Sequence, residues 1–107
     1  MKKLVIATLI SLTFLSAHAE SALQLSDMKA TVSPGTSSGF IAGTATNTSP
    51  DRIESATITI NLLDAQGNIV GNTSAVAFGI APGQKWLFRA ITTIPYERSE
   101  VVSVRTM

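Results

Sequence analysis

The chain has 107 residues, no Cys, one His, and 8 Lys+Arg against 7 Asp+Glu. That length supports a single domain. A formal charge of +1 without a basic stripe excludes the electrostatic footprint of a nucleic-acid binder, and the lack of Cys excludes disulfides, so packing and sheet hydrogen bonds must hold the fold.

The N-terminus reads as a secretory signal peptide over residues 1–19. Met1-Lys2-Lys3 is a short cationic start, Leu4 to Leu15 is an uncharged apolar run, and Ala17-His18-Ala19 is a small-x-small cleavage site followed by Glu20. The apolar run falls well short of the about 20 residues that a bilayer-spanning helix needs. A buried cytosolic helix would account for the apolar run but not for the cationic start and the cleavage site together. No Cys follows the site, so no lipid is expected there. The expectation is cleavage after Ala19 and a periplasmic or secreted product, without a membrane anchor in its mature form.

Cleavage changes the inventory. Removing 19 of 107 residues leaves 88, and Lys2, Lys3 and His18 go with the signal. Six Lys+Arg then face 7 Asp+Glu, for a net charge of −1, and the mature domain has neither His nor Cys.

The mature chain is rich in Thr, Ser, Ala, Ile and Val, which favours strands, and turn signals recur at sandwich spacing. A first strand is predicted over Ala22 to Val32, with Leu23 and Leu25 alternating against Gln24 and Ser26. Ser33 to Gly39 is a loop by composition. Phe40 to Asn47 is a second strand with Ile41, Gly43 and Ala45 on one face, and Thr48 to Asp51 turns the chain. Ser55 to Leu63 carries the clearest alternation: Ala56, Ile58, Ile60 and Leu62 on one face, Thr57, Thr59 and Asn61 on the other. Asp64-Ala65-Gln66-Gly67 predicts a type I turn with Gly67 left-handed. Asn68 to Phe78 returns, with a break or bulge near Gly71. Ala81-Pro82-Gly83-Gln84 has type II turn chemistry. Trp86 to Thr93 follows, with Trp86, Phe88 and Ala90 on one face and Leu87, Arg89 and Ile91 on the other. Ile94 to Ser99 connects to a last strand, Val101 to Thr106. Six or seven strands in one domain, residues 20–107, predict an all-β, immunoglobulin-like, two-sheet antiparallel sandwich.

Three islands resemble the FxLYD family of small exported β-sandwiches. Gly43-Thr44-Ala45-Thr46-Asn47-Thr48-Ser49 is similar to its G-x-V-x-N-x-S strand end. Ile60-Asn61-Leu62-Leu63, followed by Asp64-Ala65-Gln66-Gly67, is similar to its naming motif and D-x-x-G turn. Pro82-Gly83-Gln84-Lys85-Trp86-Leu87-Phe88 is similar to its P-G-x-x-x-x-F. Ile60 stands where the family has Phe, and Leu63 where it has Tyr. The resemblance, over a core of about 40–94, implies a sandwich and an exported location, and it implies no activity or cofactor.

The residue types for chemistry are sparse. Zinc and copper sites draw on Cys and His, which the mature chain lacks. Met28 and Met107 are too few for a Cu(I) site. Asp51, Glu54 and Asp64 lack calcium-loop spacing, and Asp64 is better read as a turn former. Ser and Thr have no His to activate them, and neither Lys29 nor Lys85 is preceded by S-x-x-K spacing. The carboxylates Asp27, Asp51, Glu54, Asp64, Glu97 and Glu100 fall mostly at loops and strand ends, where solvated charge is the default. No catalytic, metal or cofactor residues are therefore expected. The sequons at Asn47 and Asn72 are expected by chance in so Ser/Thr-rich a chain.

What remains is surface. Leu87, Arg89 and Ile91 line the outward face of one strand, Leu63 interrupts an otherwise polar outer face, and Tyr96 follows Pro95 in a connection. These five residues form the candidate interaction surface. The expected function is a non-enzymatic exported module, a protein-interaction or structural component of the cell envelope, that contacts another envelope protein by pairing at an edge strand, Val101 to Thr106 or the first. The alternative is binding of a glycan or cell-surface polymer, which requires exposed aromatic rings.

Overall fold

A computed structural model describes residues 22–32 and 37–107. The predicted signal peptide and cleavage site, and residues 33–36 of the predicted loop, lie outside the described residues. Six strands follow in chain order: β1 (Leu23–Val32), β2 (Gly39–Asn47), β3 (Ile53–Leu63), β4 (Ile69–Ile80), β5 (Lys85–Thr92) and β6 (Arg98–Thr106). They form two antiparallel three-stranded sheets, ordered β1-β2-β5 and β4-β3-β6. The pairing is that of strands A-B-E facing C′-C-F in an immunoglobulin-type sandwich.

β3 is central to its sheet, and its alternation explains the core. Ala56, Ile58, Ile60 and Leu62 are all essentially inaccessible, while the Thr residues between them are half-buried on the outer face. Full burial of each Ile or Leu contributes roughly 1.5–3 kcal/mol. From the opposite sheet Ile41, Ala45, Phe88 and Ala90 meet them. Trp86 packs beside Phe88 at 5.7 Å between ring centroids, so the aromatic pair faces inward as its spacing predicts. Gly43 makes room for this packing. A Cβ there would lie 2.7 Å from Phe88 Cζ and 3.2 Å from Met28 Cγ.

Both predicted turns form. Gly67 and Gly83 have φ of 84° and 80°, and the Asp64 carboxylate accepts from the backbone N–H groups of Gln66 and Asn68, each at 2.9 Å. The irregularity expected near Gly71 is a one-residue bulge. Leu62 pairs with Gly71 and Leu63 with Ile69, leaving Val70 as the extra residue. β6 begins at Arg98, three residues earlier than the sequence pattern indicates, because Arg98, Ser99 and Glu100 pair with Leu63, Leu62 and Asn61.

The two sheets are tied at one end by Asn47, which is 0% exposed. Its side-chain amide donates to the carbonyls of Asp51 (2.8 Å) and Ile80 (3.0 Å). Its Oδ1 accepts from the N–H and the hydroxyl of Ser49. Its backbone pairs with the β4–β5 turn, receiving Gly83 N–H and donating to Gln84 carbonyl. Two of the motif islands thus meet at one residue. Both amide hydrogens of Asn47 are engaged in the interior, so this sequon is structural.

Candidate functional site

β5 alternates strictly. Phe88, Ala90 and Thr92 are buried, so Lys85, Leu87, Arg89 and Ile91 must face out. Register places Leu87 opposite Thr44, Arg89 opposite Ala42 and Ile91 opposite Phe40. The Arg89 guanidinium lies over the Phe40 ring, 4.2 Å from its centroid, a cation–π contact between neighbouring strands. Leu87 and Ile91 remain 77% and 59% exposed. Three of the five predicted residues are therefore brought together on the outer face of β1-β2-β5, with Phe40 added.

The other two are elsewhere. Leu63 is half-buried on the opposite sheet, paired with Arg98. Tyr96, expected on the surface from its place in a connection, packs against the core. Its hydroxyl and that of Thr92 are both buried without a hydrogen-bond partner. Burial pushes the Tyr96 phenol above its ordinary value of 10.0.

Phe78 is the residue sequence reasoning passed over. It is 76% exposed, although Ile80, two residues on, is buried. Gly79 explains the pair: its φ of 69° breaks the strand's alternation, so Phe78 points out and Ile80 returns to the core. The buried Ala75 and half-buried Ala77 mark the inward face of β4, and that alternation is the signal that could have placed Phe78 outside.

Leu87 borders two open depressions. One is lined by Asp27, Lys29, Ala42, Thr44 and Arg89. The other lies against β4 and is lined by Ala77, Phe78, Gln84, Lys85 and Trp86. Further along, the Thr73 hydroxyl donates to the Ile91 carbonyl at 2.6 Å, which draws the free edges of β4 and β5 together. Asp27, with φ of 54°, sits in a β1 bulge where register shifts between Ser26 and Lys29. Asp tolerates this left-handed conformation better than most residues.

Among the described residues no group of three His, Cys, Asp or Glu side chains could hold a metal ion. The acid with a resolved displacement is Asp64, held below its ordinary 3.8 chiefly by the Asn68 backbone N–H, in the hairpin turn away from both depressions. No protein-family model, curated protein or solved structure matches this chain.

Proposed function

We propose that this chain is an exported, non-enzymatic sandwich module that binds another protein through the outer face of β1-β2-β5. The observation that carries the reading is the cluster on β5: Leu87 and Ile91 exposed on either side of Arg89, which is held over Phe40. Contiguous apolar surface with a central Arg and an aromatic neighbour is the composition of interface hot spots. The signal-like N-terminus and the FxLYD-like islands support export and a non-catalytic role.

The face is a better candidate than the edges. β1 is interrupted by its bulge, and β6 has a register shift opposite Thr59/Ile60 and carries Arg98, Glu100 and Arg105. Bulges and charges are the usual protection of an edge against pairing. The glycan-binding alternative draws on Phe78, the exposed aromatic side chain among the described residues. It lacks a second platform, since Trp86 is turned toward Phe88.

Cross-linking of tagged protein in the cells that export it tests the reading. One dominant protein adduct is expected, abolished by Leu87→Asp and by Ile91→Asp and retained by Val70→Asp on the opposite sheet. No protein adduct, or one indifferent to Leu87 and Ile91, overturns it.

A further inference from the structure

The apolar surface of β5 continues across the seam onto β4. Leu87 and Phe78 are the two most exposed hydrophobic side chains of the strands, and both line the depression whose floor includes Ala77 and Trp86. Charge around them is one-sided. Lys29, Lys85 and Arg89 lie on the outer face of β1-β2-β5, three cations against one carboxylate, Asp27, which lines the first depression beside Lys29 and Arg89. Near Phe78 the Glu54 carboxylate is matched by Arg52, 3.6 Å away, whose guanidinium lies against Gly79; Asp51 lies between β2 and β3, Asp64 in the hairpin turn, Glu97 before β6 and Glu100 within it.

Resting on the protein-binding reading, we propose that the Phe78–Leu87 seam takes an extended partner segment carrying apolar side chains flanked by carboxylates. The apolar side chains fill the depressions on either side of Leu87, and the carboxylates meet Lys85, Arg89 and Lys29. Complementary charge at a rim selects partners and register more than it adds affinity. The same charge disfavours a second copy docked face to face, because a two-fold axis through this patch would bring one cationic face against another. Concavity on both sides of Leu87 favours a side-chain-bearing segment over a flat lipid surface.

Trp86 is the chain's single Trp and lines the seam, so its emission reports occupancy. The full protein, purified as exported, is titrated with a synthetic peptide of alternating leucine and glutamate. Matched titrations use a leucine–lysine peptide and vesicles of phosphatidylglycerol. The acidic peptide is expected to shift Trp86 emission saturably, about tenfold tighter than the basic one at low salt, with the preference falling as salt rises. Leu87→Asp and Phe78→Ser should each abolish the shift while leaving the circular dichroism unchanged, and Val70→Asp should retain it. No binding, or equal binding of the two peptides, overturns the inference. A response to vesicles without the acidic peptide assigns the seam to a membrane surface, and a concentration-dependent dimer lost in Leu87→Asp assigns it to a second copy; either overturns it. If a protein is captured through Leu87 but the peptides show no charge preference, protein binding stands and the acidic partner falls.

Discussion

Replacing Asn47 with Ala strips four side-chain hydrogen bonds from a fully buried position. The bond from Nδ2 to the Ile80 carbonyl is itself buried, and those involving Asp51 and Ser49 are partly buried or better solvated. A buried polar group left without a partner costs about 1–3 kcal/mol. The Ile80 carbonyl bears that cost in full; the Asp51 carbonyl and the Ser49 hydroxyl keep each other as partners, so of the partly buried groups the Ser49 N–H adds about 1 kcal/mol. The expected loss is about 2–4 kcal/mol, a large share of the roughly 5–15 kcal/mol typical of a domain. Urea unfolding followed by Trp86 fluorescence measures it. With a slope of about 1–1.5 kcal/mol per molar for a small domain, the midpoint should fall by about 1.3–4 M. Asn72→Ala, at an exposed position on β4 with the same N-T-S context, should move the midpoint by less than about 0.5 M. If the two variants lose the same small amount, Asn47 is not the tie between the β2 end and the β4–β5 turn.

Three further outcomes follow from the packing and the titrating groups. Gly43→Ala should cost about 1–3 kcal/mol, read as a lower melting temperature and an altered near-ultraviolet spectrum, because its Cβ meets the Phe88 ring. Tyr96 has a folded pKa above its unfolded one, so its contribution is full below about pH 10 and is lost as pH rises through the folded value. Tyr96→Phe should therefore melt more stably than the parent in alkaline buffer. Asp64 is displaced in the opposite direction: its contribution is present above pH 3.8 and is lost as pH falls through the lower folded value. The deficit of Asp64→Ala in thermal melts should accordingly be largest near neutrality and shrink in acid.

What was legible in the sequence is what local alternation encodes. The faces of β3 and β5 could be read because each strand keeps period 2 along its length, and that parity placed Leu87, Arg89 and Ile91 outside together. The turns at Gly67 and Gly83 were legible from their own residue chemistry. The failures are tertiary. Tyr96 lies in a connection, where composition points to solvent, yet its ring docks on the core. Phe78 escapes because a large apolar ring reads as core, yet it keeps the outward parity of its strand, and the left-handed Gly79 turns Ile80 inward after it. The first residues of β6 are polar and become strand only through their pairing with β3. Asn47 reads as an ordinary strand end, because its partner Ile80 is 33 residues away.

The central claim is that the partner meets the β5 face, and photo-cross-linking by position tests it most directly. A photoreactive residue is placed at position 87, 91, 70 or 102, one per variant, and the cells that produce the protein are irradiated. The account predicts one discrete adduct from positions 87 and 91, carrying the same partner protein, and none from Val70 on β4 or Val102 on β6. Adducts from position 102 with none from 87 or 91 would move the binding surface to the β6 edge and contradict the account.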